Sequence, residues 1–184
     1  YSNRIKAIEN LRCLVRLEKL WLADNQIGTL SGVESLVGLV ELNLARNRIL
    51  RLGNALAPLV RLHTLNVSAN PLGSFKEVGN LVPLASLRNV CFSDPHWGEC
   101  PLAGLCNYQT YVLFSLSQVT SLDALGLASE TKQLAEATFS KKKMYYNMRC
   151  KTVRRNAGNA LRRAADGRAR KARTMQRTLG ALVR

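Results

Sequence analysis

Histidine is nearly missing. His63 and His96 are the two in 184 residues, so proton transfer near neutral pH has almost no side chain to use. The sequence has no glycine-rich phosphate loop, no nucleophile elbow and no carboxylate pair recurring in one cleft. Neither catalysis nor a bound cofactor is expected. No apolar run approaches the ~18 to 20 residues of a membrane span, and no membrane contact is expected. The cysteines number five, an odd count, and Cys13 lies in the regular part of the sequence. That argues against a disulfide framework and for an intracellular, cytoplasmic setting. Ahead of Tyr1 there is neither an initiating Met nor a signal segment, the expected mark of a piece of something longer. Apolar residues, by contrast, are plentiful: 47% hydrophobic against 21% charged excludes a disordered chain and allows a real core.

Acidic residues run out toward the end. Residues 1–128 hold 11 basic and 9 acidic side chains, whereas residues 129–184 hold 16 and 3. The overall formal charge of +15 therefore sits almost wholly in the last third. Two regions with different tasks follow, and the second should seek an acidic surface.

An internal repeat organises the first region. Leu14, Leu17, Leu20, Leu22, Asn25 and Ile27 define the pattern LxxLxxLxLxxNxI. It returns at Leu36, Leu39, Leu42, Leu44, Asn47 and Ile49, then at Leu59, Leu62, Leu65, Val67, Asn70 and Leu72. Looser copies run Leu84, Leu87, Val90, Phe92 and Leu116, Val119, Leu122, while Asn3 and Ile5 match the tail of a preceding copy. Leucines at i and i+2 beside each Asn suit a short strand and not a 3.6-residue helical stripe. Each Asn turns the chain and satisfies backbone groups that would otherwise be buried unpaired. One repeat cannot bury its own apolar face, so neighbours must stack around a shared core.

This is the leucine-rich-repeat signature. The expected fold is α/β: a solenoid with short parallel strands on its concave face, a C-terminal cap and a long projecting basic helix. Residues 1–128 form the repeats and cap, and residues 94–113 form an irregular insert read as an ordered surface loop. Ser129 with Glu130 opens the basic helix over 129–165, with Leu134, Thr138, Lys141, Tyr145, Met148 and Val153 near one face. Asp166-Gly167 ends it, and a second basic amphipathic helix follows over 166–184, with Ala172, Met175, Leu179, Leu182 and Val183 on one side.

The stretch NYQTYVLFSLSQVTSLDAL resembles the C-terminal cap of the protein-phosphatase-regulator class of intracellular leucine-rich repeats. The resemblance implies a Tyr (Tyr108 or Tyr111), a strand-like Val112-Leu113 and the Leu122-Asp123 pair closing the core. A narrower resemblance rests on Asp94-Pro95-His96-Trp97-Gly98, on Cys106-Asn107-Tyr108-Gln109-Thr110-Tyr111 and on Lys143-Met144-Tyr145-Tyr146-Asn147-Met148-Arg149. These are similar to the family of leucine-rich-repeat-containing protein nine, large multi-array proteins of motile cilia. That likeness implies a scaffold of the ciliary or flagellar axoneme, a cytoskeletal, microtubule-associated assembly with acidic tubulin or dynein-complex surfaces as partners. The alternative is a ribonucleoprotein scaffold, because a spliceosomal family uses the same capped repeats; there the basic tail would contact RNA.

Three sets of residues are candidates for chemistry. Cys91, His96, Cys100 and Cys106 lie close enough in sequence to consider zinc, but they lack a C-x2-C knuckle, and reduced thiols with a structural His are the preferred reading. The concave face should present Glu18, Trp21, Ala23 and Asp24, then Glu41, Asn43, Ala45 and Arg46, then His63, Asn66 and Ser68, then Asn89, Cys91 and Ser93. Trp21 is either an interface anchor or a residue packed on the neighbouring repeat edge. Lys141, Lys142 and Lys143, with Tyr145, Tyr146 and Arg149, could grip phosphates or an acidic protein, or form a solvated helix face.

Overall fold

The computed structural model describes residues 2–182, with side chains through residue 168. Three-residue strands mark the repeats: β1 (Lys19–Trp21), β2 (Glu41–Asn43), β3 (Thr64–Asn66) and β4 (Asn89–Cys91). A short α1 (Lys76–Gly79) precedes β4. A hairpin of β5 (Ser93–Asp94) and β6 (Gly98–Glu99) follows, then a 3-10 turn (Pro101–Gly104) and α2 (Tyr108–Ser115). The repeats close with β7 (Ser121–Leu122) and β8 (Leu125–Gly126), and α3 runs Ser129–Leu182. Strands β1, β2, β3, β4 and β7 pair in parallel in that order, and β8 folds back antiparallel on β7.

The register is set by the leucines. Leu20, Leu42, Leu65, Val90 and Leu122 are successive partners across the sheet. From Leu42 onward this rung is buried, together with Leu36, Leu39, Leu44, Leu59, Leu62 and Val67. Just after β1, β2 and β3 the chain enters the left-handed region, at Asp24, Arg46 and Ala69. The buried Asn residues then tie repeat to repeat. Asn47 donates to Leu22, Leu44 and Ala45 carbonyls and accepts from the Ile27 N–H; Asn70 does the same with Leu44, Val67, Ser68 and Ile49. Each amide thus replaces water for backbone groups shut inside the turn.

The insert is more than a surface loop. It supplies Cys100, Leu102, Tyr108, Val112 and Leu113 to the core, and Val112-Leu113 lie in α2 and not in a strand. The reason is closure: the last leucine rung needs a lid, and an eight-residue helix covers more apolar area than one strand. Tyr108 is the cap tyrosine. Its hydroxyl donates to Asp123 Oδ2 at 2.8 Å, and Asp123 Oδ1 accepts the Phe92 and Ser93 N–H groups. Tyr111 instead stacks on Phe75 at 4.3 Å and meets Phe139 edge-on.

The chain divides into two compact units, one ending at Phe139 and one beginning at Ser140. The first turns of α3 belong to the repeat unit through Ala135, which is buried, and Phe139, which stacks on Phe114 at 4.2 Å. Leu134, expected on the packing stripe, is 69% exposed. The expected break at Asp166-Gly167 also differs, for α3 continues to Leu182. One interior Gly costs about 1 kcal/mol, too little to stop a helix flanked by Ala and Arg. The side chains of Ala172, Met175, Leu179 and Leu182, and all of Val183, lie outside the described residues. No described helix is long and apolar enough to cross a membrane.

Candidate functional site

The concave face is built from the outward positions of the short strands. Two rows cross it: Lys19, Glu41, Thr64, Asn89 and Ser121, then Trp21, Asn43, Asn66 and Cys91. At the β1 end, Trp21 is 48% exposed and donates its Nε1–H to Glu41 Oε1 at 2.6 Å. Lys19 Nζ approaches the other Glu41 oxygen at 3.4 Å, so one carboxylate holds both neighbours. Arg46 pairs with Asp24 at 3.3 Å at the strand ends. Such exposed pairs add little stability, but they fix the direction in which Trp21 presents its ring.

Asn43 and Asn66 are partly committed to the backbone. Their Oδ1 atoms accept the Ala45 and Ser68 N–H groups, and Asn66 also donates to Asp94 Oδ2 at 3.0 Å. Asn89 donates to Thr64 across the strands. His63 is exposed, with its Nδ1 2.8 Å from the Arg61 carbonyl oxygen. Three residues expected on this face are not there: Ala23, Ala45 and Ser68 are fully buried. They sit beyond the strand ends, one residue before the left-handed turn at Asp24, Arg46 and Ala69, where the alternation of two no longer holds. Glu18 and His63 likewise precede the strands, and Lys19 and Thr64 hold the outward places. Strict alternation about Leu20 and Leu65 would have found both.

Two cysteines at this end, Cys91 and Cys100, are each tied to a backbone carbonyl. Cys100 is buried and donates to the Val67 carbonyl, while Cys91 donates to Ser93. Burial, then the Asp123 and Asp94 carboxylates, push the Cys91 thiol up to about 12; burial pushes Cys100 up to about 11. Both are neutral thiols at physiological pH and so poor nucleophiles. Among the described residues no group of three His, Cys, Asp or Glu is placed to hold a metal ion. Burial also pushes Asp94 up, but the His96 and Trp97 N–H groups and the Asn66 amide outweigh it and hold the carboxyl below its ordinary value. Asp94 thereby acts as the pin of the β5–β6 hairpin, a role its place in a DPHWG run only hinted at.

The basic helix presents the second expected set. Lys141, Lys142, Lys143, Tyr145, Tyr146 and Arg149 are all exposed. Arg149 donates to the Tyr145 hydroxyl at 3.2 Å, one turn back, and the two Tyr rings meet edge-on at 6.0 Å. Successive helical residues point about 100° apart, so the three lysines face three directions.

Stacked parallel strands, an asparagine ladder and a capped end define a leucine-rich-repeat solenoid, and the comparisons agree. The leucine-rich-repeat family model matches residues 1–151, and the chain belongs to that family. Among curated proteins it is similar to U2 small nuclear ribonucleoprotein A' of Homo sapiens and of Mus musculus, each 31% identical over 141 residues. That region is 76% of this chain and 54% of each relative, so the chain spans about half the length of the curated relatives it matches. Among solved structures, a chain of the Drosophila melanogaster SNF/U2A' complex superposes with a TM-score of 0.70 at 25% identity. The match covers 79% of this chain and 82% of that one. Internalin C2 of Listeria monocytogenes, at 20% identity and a TM-score of 0.50 over 66% of this chain and 48% of that one, shares the fold alone. The axonemal and cytoplasmic location expected from the sequence is corrected by these matches, because the relatives are proteins of a nuclear ribonucleoprotein. Cilium, flagellum and microtubule association are not supported.

Proposed function

We propose that this chain is a protein-binding scaffold of a ribonucleoprotein, taking up a folded protein subunit on its concave face and contacting RNA through its basic helix. The observation that carries the reading is the superposition on a chain of the SNF/U2A' complex over about four fifths of both molecules. On the concave face Trp21 is the anchor, held by Glu41, with Asn43, Arg46, Thr64 and Asn66 as the polar surround and His63, expected there, just ahead of its strand. A half-exposed indole in a rigid strand gains much on burial and loses little entropy, which suits it to a binding hot spot. On the helix, Lys141, Lys142, Lys143 and Arg149 supply charge in several directions, and Tyr145 and Tyr146 supply stacking surfaces. A polyanion that folds around a helix uses all of these cations, whereas a flat acidic protein uses one face.

The test measures both halves separately. Calorimetry with the SNF subunit should show binding that Trp21→Ala weakens roughly thirtyfold. Fluorescence anisotropy with a short RNA should show binding that falls steeply with salt. Reversing Lys141, Lys142, Lys143 and Arg149 to Glu should lower the slope of log affinity against log salt by about 3. Failure to bind either partner would overturn the proposal. Binding of the subunit without RNA would confine the function to the concave face.

A further inference from the structure

Strands β1 to β4 run the same way, so the segments that leave them gather on one edge of the solenoid and the segments that enter them on the other. The leaving edge is stitched turn to turn. The Gln26 N–H donates to the Ile5 carbonyl, and the Arg48 N–H donates to the Ile27 carbonyl. Arg4, Gln26 and Arg48 therefore hold one place in three successive turns, at steps of 22 residues. At the spacing of neighbouring strands, the Arg4 and Arg48 backbones lie about 10 Å apart along the stack. Asn25 and Asn47 accept the Ile5 and Ile27 N–H groups from within, so the chain beneath these arginines is fixed.

The charge on this edge is one-sided. Its turns, residues 2–7, 24–29, 46–51 and 69–74, carry Arg4, Lys6, Arg46, Arg48 and Arg51 against one acid, Asp24. All five cations are exposed. Asp24 is already engaged, by Arg46 at 3.3 Å and by the Ser2 hydroxyl. Among the described residues the ion pairs are Lys19–Glu41 and Arg46–Asp24, so Arg48 and Arg51 have no carboxylate partner. The segments that enter the strands are balanced, with Arg12, Arg16 and Arg61 against Glu9, Glu18 and Glu34. At the capped end, residues 89–128 hold Asp94, Glu99 and Asp123 and no Lys or Arg. The near-neutral repeat region thus conceals a basic edge over its first turns and an acidic cap over its last.

We infer that the leaving edge, centred on Arg4, Arg48 and Arg51, is a second binding site for the phosphodiester backbone of single-stranded RNA, distinct from the basic helix. The inference rests on the reading of RNA as a partner and adds a rigid contact to it. Arginine suits that ligand better than lysine, since a planar guanidinium grips two phosphate oxygens at once. A linear chain with a charge on every unit can follow cations set out along the stack, whereas a compact anion needs them converged on one point. The acidic cap repels the same chain and so confines it to the first turns.

The experiment follows a short fluorescent oligouridine binding to the full chain by anisotropy over a range of salt. Arg4→Glu, Arg48→Glu and Arg51→Glu together should lower the slope of log affinity against log salt by about 2, at roughly 0.7 per contact on a single strand. The melting temperature should stay put. The same fall should appear on top of Lys141, Lys142, Lys143 and Arg149→Glu, because the two sites act separately. Arg12, Arg16 and Arg61→Glu, an equal charge change on the entering edge, should move the slope by no more than about 0.5. An unchanged slope in the first variant, or an equal fall in the entering-edge control, would overturn the inference and leave the helix contact standing. A fall in the first variant with none in the helix variant would keep this site and remove the helix. Absence of oligouridine binding by the parent chain would sink both. Competition by polyglutamate as strong as by RNA of equal charge would also overturn it, since the occupant would then be an acidic protein.

Discussion

Leu14 and Leu116 hold the same place in the repeat at opposite ends of the array, yet Leu116 is fully buried and Leu14 is 43% exposed. The sequence pattern around them is alike, and the surroundings are not. Leu116 belongs to the capped end, a roof in which its own N–H closes α2 on the Val112 carbonyl and the Asp123 network ties β4, β7 and Tyr108 into one hydrogen-bonded unit. Leu14 faces no such roof among the described residues. A solenoid's stability is close to a sum of repeat and neighbour terms, so the same residue contributes according to the neighbours it has.

The largest expected effect that tests this contrast is Leu116→Ala. It should cost about 2 to 5 kcal/mol by urea denaturation, from lost burial and the cavity left in the core. Asp123→Ala should follow at about 3 kcal/mol, since it strands the Phe92 and Ser93 N–H groups and the Tyr108 hydroxyl in a partly closed site. Hydrogen exchange should show the loss concentrated in β4, β7 and α2, with β1 and β2 unchanged; uniform loss would erase the distinction between the ends.

Tyr108→Phe is smaller, about 1 kcal/mol at neutral pH, and it carries a pH signature. Burial, then the Asp123 carboxylate, push the Tyr108 hydroxyl above its ordinary value of 10.0. A raised folded-state pKa means that the stability tied to the bound proton is intact below pH 10 and lost as pH climbs beyond it. The parent chain should therefore lose melting temperature above pH 10 more steeply than Tyr108→Phe, and parallel curves would remove Asp123 from the account. Leu14→Ala should be the smallest, about 1 kcal/mol or less, because much of its side chain is already in water. A loss at Leu14 equal to that at Leu116 would mean that the open end is covered in solution.

Much of the solenoid was legible because its determinants are local. The LxxLxxLxLxxNxI period named the strand centres Leu20, Leu42 and Leu65 and the turning residues Asn25, Asn47 and Asn70. The candidate face was legible at Trp21, Glu41, Asn43 and Asn66 and misread at Ala23, Ala45 and Ser68, where a strand rule was carried past the end of a three-residue strand. The link between Trp21 and Glu41, 20 residues apart, is set by pairing register and leaves no trace in either residue's neighbours.

The sequence by itself determined the repeat period, the leucine rungs, the asparagine turns, the helix start at Ser129 and the concentration of positive charge beyond it. Each follows from spacing or composition within a few turns of chain. Only the tertiary structure decided that Tyr108 and not Tyr111 locks the cap, because both lie on α2 and only the place of Asp123 beneath one of them separates their roles. It decided too that Ala135 and not Leu134 faces the core. Those two residues lie about 100° apart on one helix, and the angle at which that helix meets Phe114 and Tyr111 overrides the side chain's own hydrophobicity.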